Sequence, residues 1–199
     1  MIIKEVAFGN LEEAFVEKRF KNGVNIFFSD DNNKGKTILI QGLMYSIGYD
    51  SIFPSTFNFK NYYFYSKIQI ELNSYEFLRK GNQFIIKDTN GILVFDSVTD
   101  FKYYIDKNIL ALPRIIKEKR LKVVDLSLLY EVFFLGQDNR TPSNIIVKGQ
   151  FNKVDFKNMV FSLAGLECFG IDEENINSLK EKIKELNNEV KILTKSLMI

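Results

Sequence analysis

The stretch Asn25-Ile-Phe-Phe-Ser-Asp-Asp-Asn-Asn-Lys-Gly-Lys-Thr37, followed by Ile38-Leu39-Ile40, constrains the fold more than any other part of this chain. An apolar, β-prone run from Val24 to Phe28 passes into a short polar loop. Gly35-Lys36-Thr37 then opens a segment of helical pattern. Strand, loop and helix in that order are the layout of a phosphate-binding P-loop. Loop N–H groups and the positive end of the helix converge on one point and favour an anion there. In such a loop Asn32, Asn33, Lys34, Gly35, Lys36, Thr37 and Ile38 surround the phosphates. Lys36 reaches the terminal phosphates, and the Thr37 hydroxyl ligates the accompanying magnesium. The usual pattern is G-x-x-x-x-G-K-[ST], and its first glycine is here Asp30. Asp and Asn tolerate positive φ better than most residues, so Asp30 with Asn32-Asn33 is expected to make the turn. The carboxylates of Asp30 and Asp31 disfavour a polyphosphate unless they face away, and Lys34 offsets part of this. A polar loop capping an ordinary helix is the competing reading. The intact triplet between strand and helix favours the nucleotide site.

The 199 residues suffice for one good core or two lobes of one domain. Hydrophobic content of 46% with 26% charged residues indicates a folded, soluble protein, expected in the cytoplasm. Net charge is only +2, so any nucleic-acid contact must come from a local patch. The chain has no histidine, which excludes Ser-His-Asp and Cys-His hydrolases, His-ligated zinc and His general bases. Its one cysteine, Cys168, excludes an internal disulfide. There is no apolar run long enough for a membrane span and no secretory h-region near Glu5.

Ile2 to Phe8 is expected as a first strand and Phe15 to Phe20 as a second. Leu39, Leu43 and Ile47 mark one face of the helix after Lys36, which Gly48 stops. The middle reads as an antiparallel meander. Ile68, Ile70 and Leu72 alternate, Asn73-Ser74 turns into Tyr75–Lys80, Gly81-Asn82 turns into Gln83–Lys87, and Thr89-Asn90-Gly91 turns into Ile92–Phe95. Ser97-x-x-Asp100 is a capping box for a helix running to about Leu110, before Pro113. A buried helix is expected from Asp125 to Leu135, broken by Gly136-Gln137-Asp138-Asn139-Arg140-Thr141-Pro142. Another follows Asp155 and stops at Gly165.

The last segment differs. Ile176, Leu179, Ile183, Leu186, Val190, Leu193 and Leu197 recur at spacings of three and four without a miss. That is an a/d heptad seam, and a coiled coil is the better reading than a lone amphipathic helix. Its mate is expected on another chain or on a continuation of this one.

An early P-loop, a meander, a Gln-containing loop and an emerging coiled coil, in this order, resemble the N-terminal half of the head of an SMC-like ATPase (structural maintenance of chromosomes, RecN and the double-strand-break repair ATPase). The resemblance rests on Phe20-Lys-Asn-Gly-Val-Asn-Ile-Phe-Phe28, Gly35-Lys36-Thr37, Phe133-Phe134-Leu135-Gly136-Gln137 and, more weakly, Leu112-Pro113-Arg114-Ile115. It implies an α/β fold of α+β character, an ABC-type P-loop lobe with an antiparallel meander. Residues 1–170 would form the head lobe and residues 171–199 the start of a coiled-coil arm. It implies ATP and Mg2+ as cofactors, with Gln137 touching magnesium and the attacking water as a catalytic residue. An hhhhDE strand and a Gly-rich signature complete such a site from a C-terminal lobe and from a second head. The family role is to sandwich ATP between two heads and thereby clamp DNA, in repair or in prokaryotic anti-phage defence alongside a nuclease or other effector subunit. Two positions depart from the family pattern: Asp30 for Gly, and Phe8-Gly9-Asn10 where an Arg usually follows the first strand.

Two other readings stay open. Ile92-Leu93-Val94-Phe95-Asp96 imitates hhhhD, which would make Asp96 the magnesium carboxylate of a self-contained P-loop NTPase with a parallel sheet around the loop; Val123-Val124-Asp125 is a weaker imitation. A non-enzymatic scaffold joined through its heptads, with a degenerate nucleotide site, is the other. For DNA, the candidates are Arg114, Lys117, Lys119, Arg120 and Lys122 as phosphate contacts. A solvated connecting segment explains those charges equally well. Tyr62, Tyr63 and Tyr65 are candidates for base stacking, although core packing is the commoner fate of such residues in a chain with 19 Phe and 9 Tyr.

Overall fold

In a computed structural model, residues 1–31, 35–117, 120–136, 153–166, 180–187 and 190 are described. The alternating middle of the chain joins two strands from its start in a six-stranded sheet. Its strands are β1 (Ile2–Gly9), β2 (Ala14–Glu17), β3 (Tyr63–Ile70), β4 (Asn73–Lys80), β5 (Gln83–Asp88) and β6 (Gly91–Phe95). They lie in the order β2-β1-β3-β4-β5-β6, each pair antiparallel. One face carries Val6, Phe64, Ile68, Phe77, Phe84 and Ile86, all buried. Two helices cover that face. α1 (Lys36–Ser46) packs over β1, β3 and β4, and α2 (Val98–Asn108) over β5 and β6. Phe101 of α2 stacks on Phe84 with centroids 4.4 Å apart. Close approach of α1 to β3 requires Gly42, where a Cβ would stand 2.9 Å from the Phe64 ring.

Among the described residues no helix covers the other face. Val16, Ala7, Tyr65, Leu78, Ile85 and Val94 are successive cross-strand partners, an apolar row running through all six strands. Beside it run Glu5, Lys67, Glu76 and Lys87, with both lysines 3.5 Å from Glu76. Opposite charges at adjacent positions keep this row paired while its neighbour stays apolar.

The rest of the described chain is a hairpin of β7 (Arg114–Lys117) and β8 (Arg120–Val123), then α3 (Leu126–Phe133) and α4 (Lys153–Leu163), which packs on β7. Residues 180–187 are helical, with Ile183, Leu186 and Val190 of the heptad seam 57%, 57% and 59% exposed. The remaining seam positions and the 170/171 boundary lie outside the described residues.

Several expectations hold. Gly48 ends the α1 segment at φ 105°, Ser97 Oγ accepts from the Asp100 N–H at 3.1 Å, and Gly165 follows α4 at φ 70°. Others need correction. Val24–Phe28 is not a strand: it pairs with no described strand, and Val24, Ile26 and Phe28 are 90%, 80% and 87% exposed. An apolar, alternating segment becomes a strand only where it docks on a partner, and this one pairs with neither edge of the described sheet, β2 or β6. The β3–β4 hairpin turns at Glu71-Leu72, not Asn73-Ser74. Ile70 pairs with Asn73, which closes a two-residue loop, puts Glu71 at φ 54° and leaves Leu72 95% exposed. The helix expected over 125–135 is buried only at Leu126, Leu128, Leu129 and Glu131; Val132, Phe133 and Leu135 face outward. The basic segment after Pro113 is a hairpin rather than a connector, since Ile115 and Val123 anchor it in the core. No parallel strand pair occurs among the described residues, against the self-contained NTPase reading.

Arg79 locks helix to sheet. It is 4% exposed, yet every face of its guanidinium is engaged. Nε donates to the Gly81 carbonyl at 2.9 Å, and Nη1 donates to the carbonyls of Tyr45 and Tyr49 at 3.1 and 3.0 Å. Nη2 donates to Asp50 Oδ1 at 3.1 Å. The group lies 3.8 Å from the Tyr45 ring centroid and 4.6 Å from that of Phe84. A cation is favoured here because the C-terminal end of α1 is the negative end of its dipole. Replacing Arg79 by Met keeps most of the volume but orphans buried carbonyls, so a loss of about 3 kcal/mol is expected in urea denaturation. Asp50→Asn should cost under about 1 kcal/mol, because that carboxylate is largely in solvent. Equal losses in the two variants would contradict the carbonyl-capping account.

At the opposite edge Glu17 ends β2. Its Oε1 accepts from Arg19 Nε at 2.9 Å and from the Arg19 backbone N–H at 2.8 Å. Hydrogen bonds from the Arg19 side chain, and then from its backbone, hold the Glu17 carboxyl far below the usual range, at about 2. A depressed folded-state pKa stabilises the fold above the unfolded value of 4.5, and that gain disappears as pH falls toward 2. Wild type should therefore exceed Glu17→Gln in stability near pH 6, and the two should converge under strong acid in chemical denaturation. Parallel pH curves would show that the pair adds nothing.

Candidate nucleotide site

The site grows from the start of α1. Gly35 is the residue before the helix, at φ 74° and ψ 10°, a left-handed conformation that glycine adopts without penalty. A Cβ there would meet nothing within 4 Å, so the backbone faces open space. Leu39 N–H closes the first helical bond to the Gly35 carbonyl at 3.0 Å. First-turn N–H groups have no acceptor within a helix; here they belong to Lys36, Thr37 and Ile38. The first turn carries no acidic side chain, and no side chain caps it.

Lys36 lies back across the loop. Its Nζ donates to the Ser29 hydroxyl and, at 3.0 Å, to the Asp31 carbonyl, and Ser29 Oγ donates to that same carbonyl at 2.6 Å. These acceptors are neutral oxygens, so the ammonium keeps its charge available for a stronger acceptor. Asp30 is exposed and is not in the left-handed region, while Asn32-Asn33, the rest of the expected turn, lie outside the described residues. Among the described residues of the loop, Gly35 is left-handed.

In front of this turn is a cavity of about 310 Å³. Phe27, Lys36, Thr37, Ile40 and Gln41 line one side, and Phe134, Leu135 and Gly136 the other. The far wall is fastened to α1 by named contacts. Tyr49 donates to Glu131 Oε1 at 2.8 Å, its ring meets Phe134 edge-on at 5.4 Å, and Tyr130 donates to the Ile47 carbonyl at 3.0 Å. Burial pushes the Tyr130 hydroxyl well above its ordinary range, so it remains a donor at all working pH.

Of the residues expected at the site, the structure brings together Gly35, Lys36, Thr37 and Ile38 at one helix end. Asn32, Asn33, Lys34 and Gln137 lie outside the described residues; Gly136, which precedes Gln137, lines the cavity. The residues present fit a magnesium nucleotide: a left-handed glycine, a helix N-terminus free of acid, an ammonium, a Thr hydroxyl and space in front. Asp96 is exposed beyond β6, at the sheet edge, and does not line the cavity. Among the described residues no group of three acidic, His or Cys side chains is placed to hold a metal.

The expected DNA contacts are partly spent on neighbours. Arg114 donates to Asp106 at 2.9 Å, and Lys117 lies 3.9 Å from Asp125, while Lys119 is outside the described residues. Tyr62 packs on Phe57 at 4.6 Å and donates to Glu13, Tyr63 lies under Lys80 at 4.2 Å, and Tyr65 belongs to the apolar row. Sequence reasoning missed Phe27, Phe134 and Gln41 as cavity residues. The one available signal was the helical spacing of Gln41 from Thr37.

Among the described residues, no helix is long and apolar enough to cross a membrane. No family model matches the chain. It is 26% identical over 173 residues to Lamassu protein LmuB of Bacillus sp. (strain NCIM 5461 / CCTCC AB 2011126 / NIO-1130), covering 82% of this chain and 30% of that protein. It is 24% identical over 192 residues to Lamassu protein LmuB of Bacillus cereus (strain VD014), covering 94% of this chain and 33% of that protein. The chain thus spans about a third of the length of these curated relatives, and its similarity to them is distant but runs through most of its own length.

Proposed function

We propose that this chain is the nucleotide-binding lobe of an SMC-like ATPase head that serves in an anti-phage defence complex. The observation that carries the reading is the placement of Gly35-Lys36-Thr37 at the first turn of α1, facing a cavity closed by the chain around Gly136. Distant similarity to the Lamassu proteins favours a defence setting over DNA repair.

In this reading the first-turn N–H groups and Lys36 hold the phosphates, and Thr37 holds magnesium. Bound MgATP supplies the cleavable phosphoanhydride and a charge that two protein surfaces can share. Lys36 exchanges two neutral oxygens, Ser29 Oγ and the Asp31 carbonyl, for phosphate oxygens, which accept more strongly. Gln137, next in sequence to the cavity residue Gly136, would orient water. A C-terminal lobe and a second head complete the pocket, and their engagement is favoured by the nucleotide's higher affinity for the closed arrangement. DNA is the proposed substrate of the closed clamp, with an effector subunit such as a nuclease downstream.

A second reading, a coiled-coil scaffold with a degenerate site, draws on the Asp30 replacement and on the folded-back Lys36. Calorimetric titration of the chain with ATP and magnesium separates the two. Binding is expected in the wild type, weakened about 10- to 100-fold in Lys36→Ala, as for loss of a charged hydrogen bond. The chain alone is expected to show no turnover, with hydrolysis appearing once the downstream lobe is added. Absence of binding, or equal affinity in Lys36→Ala, would leave the scaffold.

A further inference from the structure

We infer that Gln41 is an outer-shell residue of the magnesium site, its Oε1 accepting a hydrogen bond from a water that the ion holds. This rests on the nucleotide reading above. Gln41 is 7% exposed, and among the described residues its Oε1 is buried without a hydrogen-bond partner while the side chain lines the same cavity as Lys36 and Thr37. An amide oxygen left so costs about 1–3 kcal/mol. Gln41 also interrupts an otherwise apolar stretch, Ile38-Leu39-Ile40 before it and Leu43-Met44 after it. Its main chain is held, since Ser51 Oγ donates to the Gln41 carbonyl at 2.8 Å.

The identity of the missing donor follows from chemistry and spacing. Phosphate oxygens only accept, so they offer nothing to Oε1. Gln41 stands four residues after Thr37 and therefore on the same helix face, about 6 Å further along the axis. Side chains so spaced can share one ion, but magnesium on a nucleotide fills most of its other positions with phosphate oxygens and water, so the partner left for Gln41 is a magnesium-bound water. A Thr–magnesium bond, a magnesium–water bond and one hydrogen bond in sequence span about 7 Å. Magnesium keeps several of its waters in protein sites, and such a water, polarised by the cation, is a strong donor. The orphan oxygen is thus placed to receive it.

The test is calorimetric titration of the full chain with ATP, in magnesium and again in EDTA. Gln41→Met removes the acceptor and keeps the volume. Its affinity should fall about tenfold in magnesium, the equivalent of one hydrogen bond to a charged group, and should match wild type in EDTA. Gln41→Glu, which retains an acceptor, should keep the magnesium-dependent gain. Should the Met variant fail to fold, Gln41→Asn withdraws the oxygen by one carbon and should show the same magnesium-specific loss. Wild-type affinity of Gln41→Met or of Gln41→Asn in magnesium, or an equal loss in both buffers, would overturn the assignment while leaving the nucleotide site intact. A Lys36→Ala variant that binds ATP like wild type would instead overturn the nucleotide reading and this inference with it.

Discussion

One buried guanidinium determines where α1 can lie. Arg79 is rooted in β4, and it gathers the carbonyls at the C-terminal end of α1 while stacking on Tyr45. A helix whose last carbonyls are bound to a neighbouring strand cannot slide along its axis without breaking those bonds together. Gly42 fixes its height over the sheet, because only a residue without Cβ tolerates the Phe64 ring at that distance. Axis and height being set, the first turn has one place to be. The position of Gly35, Lys36 and Thr37 is therefore decided at the other end of the helix.

The same helix carries an electrostatic asymmetry. Its negative end is compensated by Arg79, whereas its positive end meets no acidic side chain in the first turn. Partial positive charge left at a helix start is a standing preference for an anion. The opposite wall is held to this helix: Tyr49 and Ile47, just past its end, receive Glu131, Phe134 and Tyr130. Movement of α3 is thereby registered at α1, and both sides of the cavity share one support. In the proposed function this gives a nucleotide a rigid half-pocket against which a moving lobe can close.

Local pattern carried most of the fold. The meander was legible because each strand alternates and each turn is short, and the α2 start because Ser97 and Asp100 satisfy each other within a few residues. What failed depended on partners distant in sequence. Val24–Phe28 has the composition of a strand, but composition does not supply a ladder. The hairpin around 114–123 was hidden by its charges: Arg114, Lys117, Arg120 and Lys122 look like solvated connector, and only the burial of Ile115 and Val123 makes it part of the core. At the site, Gly35-Lys36-Thr37 was legible as a motif. Gln41 was not, since a lone amide in an apolar helix acquires meaning only when its missing partner is seen.

The surface around the cavity bears on how complete the site is. Val24, Ile26, Phe28, Phe133 and Leu135 are all more than two-thirds exposed, and Phe27, Phe134 and Leu135 line the cavity itself. Single exposed apolar residues need no explanation, but a concentration of them beside a polar site is unusual for a surface that meets only water. The apolar segment Val24–Phe28, which pairs with no described strand, adds backbone hydrogen-bonding groups to the same region. Both properties suit a surface that receives another protein segment, and both flank the residues proposed to hold phosphate. On that view closure would bury apolar area and exclude water from the ammonium of Lys36 in one step, so the energy of assembly and the strength of phosphate binding would rise together. A site that gains affinity only on being covered is the physical requirement for a nucleotide to act as a clamp rather than as a resident ligand.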